Sequence, residues 1–395
     1  MDISIRTKQI SQVFSFDEKA KLEDTHLDIL PFHFVQTSYE DEIKALQKEL
    51  STTAFCPVTD DCIDENQRFN YTIFTPDRTE KQDKAILLLH GLNERSWDKY
   101  LTWAEYLVEH TGRPVILFPI AFHMNRSPMT WNNPRTILPW VNLRKKEVSG
   151  LTNSTFANVA LSYRISKQPL RFYVSGLQSA YNVQQLVSEI KSGSHPLFKE
   201  GTSINIFAYS IGAFLSQILL LANTDEMFSD SKLFMFCGGS IFSEMNGNAR
   251  DILDKEASDR LMSYYINDFA ASRRQSAVAK FSMPHGNLDA APRCCRLEEA
   301  FRMMISPDEM RDHRESFFHS ACQRIRAISL KRDVVIPTKG VIKALGESSR
   351  KILQELDFPF EYSHQTPFPF RAGKDKEEVN HAFSRVFGRV AEFLY

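Results

Sequence analysis

The chain has 395 residues, with 48 Lys plus Arg against 49 Asp plus Glu and a formal net charge of −1. Such a length buries a large core, and the balanced charge leaves no basic footprint for nucleic acid or an anionic membrane. The sequence has no long uncharged apolar run that would span a membrane, no basic-then-apolar leader in residues 1–8, and six cysteines that fit reduced thiols, so a cytoplasmic setting is expected.

Residues 1–65 are polar and mixed and read as an N-terminal extension with one helix, 39–50. Phe69–Phe74 alternates as an early strand does. Ala85–Leu89 is a continuous apolar run, the pattern of a strand buried on both faces of a parallel sheet. From there strands and helices alternate: strand 85–90, helix 97–110, strand 115–120, helix 178–191, strand 203–208, helix 211–222, strand 232–236. After a gap come strand 326–331, helix 338–355, strand 358–363 and helix 377–394. This alternation predicts an α/β fold, a mostly parallel central sheet with helices on both faces. Residues 240–322 interrupt it with helix-like patterns and no strand. They are expected to form a helical cap insertion between two segments of one core, 66–239 and 323–395.

The stretch Ile204–Phe214 reads as a buried strand that breaks at Ser210 and re-enters as an apolar helix. A serine on such a turn is held in a strained conformation with its hydroxyl above the sheet. Small residues two before and two after it, Ala208 and Gly212, let strand and helix approach closely. The run Lys84–Leu89 ends in His90-Gly91-Leu92, a tight strand-to-loop turn.

Together these two motifs resemble the nucleophile elbow and oxyanion loop of the α/β-hydrolase superfamily, with Ala208 where the usual elbow has Gly. The resemblance covers residues from about 80 to 395 apart from the cap. It implies Ser210 as nucleophile and the amides of Leu92 and Ile211 as oxyanion donors. It also implies an acid and a histidine later in the chain. Asp333, in the Asp-Val-Val-Ile-Pro turn after strand 326–331, is the acid expected to orient the histidine. His364, at the exit of the last strand, is favoured as the base; His381, in the first turns of the terminal helix, is the alternative. The implied chemistry is hydrolysis of a small-molecule carboxylic ester or thioester through an acyl-enzyme, with no cofactor. An acyltransferase or peptidase on the same triad, or an inactive hydrolase-fold binding protein, is the competing reading.

The segment after strand 115–120 carries His123, Asn125, Arg126, Trp131 and Trp140, on the side of the sheet where ligands of open α/β sheets bind. His123, Asn125, Arg126 and Trp131 are candidates to line the substrate pocket, facing the cap. Arg126, Arg135 or Arg144 would pair with an anionic group on the substrate. No His/Cys/Asp cluster has the spacing of metal ligands, and no glycine-rich phosphate loop is present.

Overall fold

The computed structural model describes residues 2–37, 41–78, 80–275, 293–370 and 375–395. Nine strands form one sheet: β1 (Ala20–Leu22), β2 (Leu27–Val35), β3 (Arg68–Pro76), β4 (Gln82–Leu89), β5 (Val115–Leu117), β6 (Phe198–Tyr209), β7 (Leu233–Phe236), β8 (Ile325–Leu330) and β9 (Leu353–Leu356). Their spatial order is β1-β2-β3-β5-β4-β6-β7-β8-β9. From β5 to β9 all neighbours run parallel, whereas β3 is antiparallel to both β2 and β5. This mostly parallel sheet, flanked by helices on both faces, is the α/β architecture expected from the strand–helix alternation.

Side chains of successive strand residues point to opposite faces, and the core divides accordingly. Leu87, Leu89, Ile204, Ile206, Leu233 and Met235 bury one face against helices Leu170–Lys191, Ile211–Ala222 and Arg293–Met303. Ile86, Leu88, Phe207, Tyr209, Phe234 and Phe236 bury the other against helices Ile3–Val13, Asp98–Thr111 and Lys376–Leu394. Ala85 to Leu89 are each 0 % exposed, which is why this part of β4 is apolar and does not alternate.

Three expectations are corrected. Residues 1–65 do not stand outside the core: β1 and β2 extend the sheet, and β2 pairs with β3 over its whole length, from Leu27↔Pro76 to Val35↔Arg68. Leu27, Ile29 and Phe34 are buried there, while Pro31, which disguises the strand, lies beyond the reach of β1 at the sheet's edge, where a missing N–H is tolerated. The last strand is Leu353–Leu356, not 358–363. Helix Thr338–Leu345 stops where Gly346 takes φ 57°, and a single further helical turn, Ser349–Ile352, leads directly into the strand. Phe358 and Phe360 are buried, but in an irregular segment. Helices Ile3–Val13, Pro134–Glu147 and Val159–Lys167 were not anticipated.

In the 240–322 segment, the described residues carry helices Lys255–Ser263, Phe269–Gln275, Arg293–Met303 and Arg311–Ser320 and a π-helical turn, Tyr264–Asp268; residues 276–292 of the expected cap lie outside the described residues. Phe242, Leu253, Leu261, Tyr265, Phe269 and Phe301 are continuous with the core on the face of helix Ile211–Ala222. Arg144 ties this segment to helix Pro134–Glu147, donating to Asp254 Oδ1 at 2.8 Å and Glu256 Oε2 at 2.7 Å while almost fully buried. It is a structural ion pair and is not available to a substrate anion.

Candidate active site

Ser210 sits between β6 and helix Ile211–Ala222 with φ 54° and ψ −120°. A non-glycine residue held there stores roughly 1–3 kcal/mol of backbone strain. The close packing around the turn explains the small residues. A Cβ on Gly212 would lie 2.5 Å from Leu89 O, and one on Gly238 would lie 2.5 Å from Ala213 Cβ and 3.0 Å from Ser210 N. Ala208 keeps its methyl within the sheet, fully buried.

Three polar side chains meet at the carboxyl ends of the parallel strands. Ser210 Oγ lies 2.7 Å from His364 Nε2, and His364 Nδ1 lies 2.7 Å from Asp333 Oδ2. Asp333 Oδ1 accepts from the amides of Val335 and Ile336, both at 2.9 Å. Both carboxylate oxygens are therefore engaged, and the acid can only accept from the ring. That makes Nδ1 the protonated nitrogen, and leaves Nε2 as the acceptor for the serine hydroxyl. All three residues are at most 4 % exposed. His381 is remote from this chemistry: it lies on the exposed face of helix Lys376–Leu394.

The Ile211 amide is at the first position of its helix, where no internal acceptor exists. Leu92, Ser210 and Ile211 share one cavity wall. The Gly91–Leu92 peptide is oriented by His90, whose Nδ1–H donates to Gly91 O at 2.8 Å, while its Nε2 accepts from the Ile120 amide at 2.9 Å. In a trans peptide the C=O and the next N–H point opposite ways, so fixing Gly91 O toward His90 turns Leu92 N–H away from it. Burial holds the His90 ring well below its ordinary pKa, which keeps this one-donor, one-acceptor arrangement intact.

A set of residues with no sequence signature holds the His364 loop, which has no regular secondary structure. The Tyr209 hydroxyl donates to His364 O, and its ring stacks on the imidazole with centroids 5.5 Å apart. Lys99 Nζ donates to Gln365 O at 3.0 Å and pairs with Glu94. The Glu94 carboxylate accepts from Tyr100 Oη at 3.1 Å, which in turn accepts from the Gly91 amide at 2.9 Å. One chain of polar contacts thus links the peptide before Leu92 to the peptide after His364. Hydrogen bonds to charged groups contribute about 1.5–3 kcal/mol each. Lys99→Met is therefore expected to lower kcat for an ester about tenfold per active site, with KM within twofold, and Lys99→Arg to restore most of it. Steady-state kinetics normalised by active-site titration checks this; a fall only in the fraction of titratable sites would mean that Lys99 serves stability alone.

Of the residues expected to line the pocket, only His123 does so. Arg126 is 0 % exposed and donates to Pro119 O, Asn66 O and Asn182 Oδ1 at 2.9, 2.9 and 2.7 Å, with Phe69 under its guanidinium. It ties the loop to helix Leu170–Lys191 and faces no cavity. Asn125 Nδ2 donates to Asn70 O at 2.8 Å. Trp131 and Trp140 pack with Phe55 and Tyr163 in a separate small core, with Arg164 stacked 4.3 Å from the Trp131 ring centroid. Arg135 is exposed on its helix. Arg126, Asn125 and the tryptophans found partners in other segments of the protein, and no signal along the chain distinguished those partners from a ligand.

Two cavities with shared wall residues lie beside the elbow. One is bounded by Ser210, Phe242, Met245, Ile252, Leu253, Leu261 and Val335, mostly residues of the 240–322 segment. The other, of about 60 Å³, is bounded by Ile120, His123, Phe172, Phe214, Ile218 and Phe301. Leu92, Phe172 and Ile211 belong to both. Among the described residues neither wall includes a Lys, Arg, Asp or Glu. No described helix is long and apolar enough to cross a membrane, and no described His, Cys, Asp and Glu residues cluster as metal ligands would.

Among solved structures, this chain is similar to carboxyl esterase 2 from the mycorrhizal fungus Tuber melanosporum, at 9 % identity over 99 % of this chain and 98 % of that one, TM-score 0.46. It is also similar to a thermostable esterase from Pseudomonas putida ECU1011, at 8 % identity over 99 % and 89 % of the two chains, TM-score 0.47. A third is a hyperthermophilic esterase from the archaeon Pyrobaculum calidifontis, at 12 % identity over 82 % and 79 %, TM-score 0.41. No curated protein matches the sequence. The profile of one family matches residues 4–395, nearly the whole chain, and the protein therefore belongs to DUF6051, a family of unknown function.

Proposed function

We propose that this protein is a serine hydrolase that cleaves an uncharged carboxylic ester or thioester through an acyl-enzyme on Ser210. The observation that carries this reading is the unbroken sequence of short contacts from Ser210 Oγ through His364 to Asp333. Ser210 attacks the substrate carbonyl while His364 Nε2 takes its proton. The amides of Leu92 and Ile211 stabilise the oxyanion that forms. His364 then protonates the leaving alcohol or thiol, and Asp333 stabilises the imidazolium in between. A water deprotonated by the same histidine releases the acid. Lys99, Glu94 and Tyr209 act as positioning residues.

The 240–322 segment serves as a cap, supported by the part its residues take in the wall around Ser210. The proposed acyl site is the apolar cavity beyond Ile211. The absence of charged side chains on the described parts of either wall argues for a neutral substrate. An anionic one would lose its hydration there without an ion partner. The volume of about 60 Å³ is a few times the roughly 10–15 Å³ that one water needs on the same measure. It suits a chain of a few carbons. p-Nitrophenyl acetate and butyrate are therefore expected to be hydrolysed at least tenfold faster, by kcat/KM, than the palmitate ester. A panel with palmitate as the best substrate would overturn the assignment of the acyl site; no Ser210-dependent hydrolysis of any ester would overturn the reaction itself.

A further inference from the structure

On the wall of the apolar cavity beside the elbow, one residue has a ring nitrogen that no described residue hydrogen-bonds. His123 is 8 % exposed and forms part of the cavity wall together with Leu92 and Ile211. Its Nδ1 lies 2.8 Å from Ala121 O. A carbonyl only accepts, so Nδ1 carries the proton, and in the neutral ring Nε2 is a bare acceptor. Burial supports the neutral form, pushing the ring down to about 4. Nε2 is itself buried and has no hydrogen-bond partner among the described residues.

The other polar side chains on that wall are already engaged. Ser175 Oγ donates to Phe172 O at 3.0 Å. Ser179 Oγ donates to Ser175 O at 2.7 Å and accepts from the Ala121 amide at 3.0 Å. Tyr173 Oη reaches Glu298 Oε2 at 3.4 Å. The ring of His123 is also fixed from behind, since its Nδ1 bond returns to its own loop and His90 lies 5.3 Å away, ring centroid to centroid. The cavity therefore offers apolar contact almost everywhere and one fixed acceptor.

We infer that His123 is a specificity-determining residue, and that the acyl group this site prefers carries a hydroxyl on its chain, which donates to His123 Nε2. This rests on the hydrolase reading above and deepens it by naming the acyl class. The physical reason is an asymmetry. A hydroxyacyl chain that reaches Nε2 gives the lone pair a donor. A plain alkyl chain in the same place leaves the acceptor unpaired. Sites built around a buried hydrogen-bonding group reject analogues that lack the matching group far more strongly than apolar pockets reject a missing methylene.

The test is hydrolysis, followed by pH-stat titration, of ethyl hexanoate and its 2-, 3- and 6-hydroxy derivatives by the wild-type protein and by His123→Phe. The intrinsic reactivity that each hydroxyl confers cancels when the two proteins are compared. At least one hydroxy ester is expected to gain tenfold or more in kcat/KM over ethyl hexanoate in the wild type, and to lose that gain in His123→Phe. In the wild type alone, the methyl ether of the best hydroxy ester should fall back to the level of ethyl hexanoate, because the ether keeps the oxygen but cannot donate; this arm does not depend on the variant folding. A wild-type protein that treats hydroxy, methoxy and plain esters alike, or a preference that survives in His123→Phe, overturns the proposal. Absence of any Ser210-dependent hydrolysis removes the reading on which it rests, and the proposal with it.

Discussion

Ser210→Ala is expected to abolish labelling by a fluorophosphonate probe and to remove esterase activity, a loss of at least about four orders of magnitude in kcat. The prediction follows from the elbow geometry: a hydroxyl on a strained turn, 2.7 Å from an imidazole nitrogen whose other nitrogen is bound to a carboxylate. The substitution removes one oxygen that contributes no other hydrogen bond to the fold, so the thermal unfolding midpoint should stay within a few degrees of wild type. Labelling therefore reads activation of the nucleophile before any natural substrate is known. Equal labelling of wild type and variant would place the nucleophile elsewhere and end the proposed mechanism.

The second large effect separates two histidines. His364→Ala should cost about three to six orders of magnitude in kcat, since the serine then has no base and the leaving group no acid. His381→Ala should cost less than twofold, because His381 lies on the solvent side of the terminal helix. His364 is 3 % exposed and makes both of its ring contacts within the site. Parallel measurement of kcat and of probe labelling rate for the two variants decides between them. A full-strength labelling rate in His364→Ala would show that another group activates Ser210.

Much of this architecture was legible because parallel strands buried on both faces have a strong one-dimensional signature. Ala85–Leu89 and Ile206–Ala208 are apolar without interruption because both sides of the sheet are covered. The elbow was legible for a related reason: Gly212 stands where a Cβ would meet backbone oxygen at 2.5 Å, so the chain must show a small residue there. β2 escaped notice because Pro31 breaks the strand pattern, and an edge position tolerates it. β9 was misplaced because an aromatic run, Phe358 to Phe360, looks like a strand whether it pairs or packs irregularly.

The sequence by itself determined the parallel sheet, the strand–turn–helix at Ser210, the turn at His90–Leu92, and the acid and histidine to look for, because each depends on local sterics or on burial of a contiguous segment. Only the tertiary structure brought His364, and not His381, to Ser210 and Asp333, turned Arg126, Arg144 and Trp131 from expected substrate ligands into internal struts, and left His123 on a cavity wall with a ring nitrogen that no described residue hydrogen-bonds. The difference is one of range. A strand or a turn is dictated by neighbours a few residues away, whereas the partner of a buried guanidinium or imidazole lies tens to hundreds of residues along the chain, as Asp254 does for Arg144 and Asp333 for His364. Whether such a group meets protein or substrate is settled only when those distant segments come together.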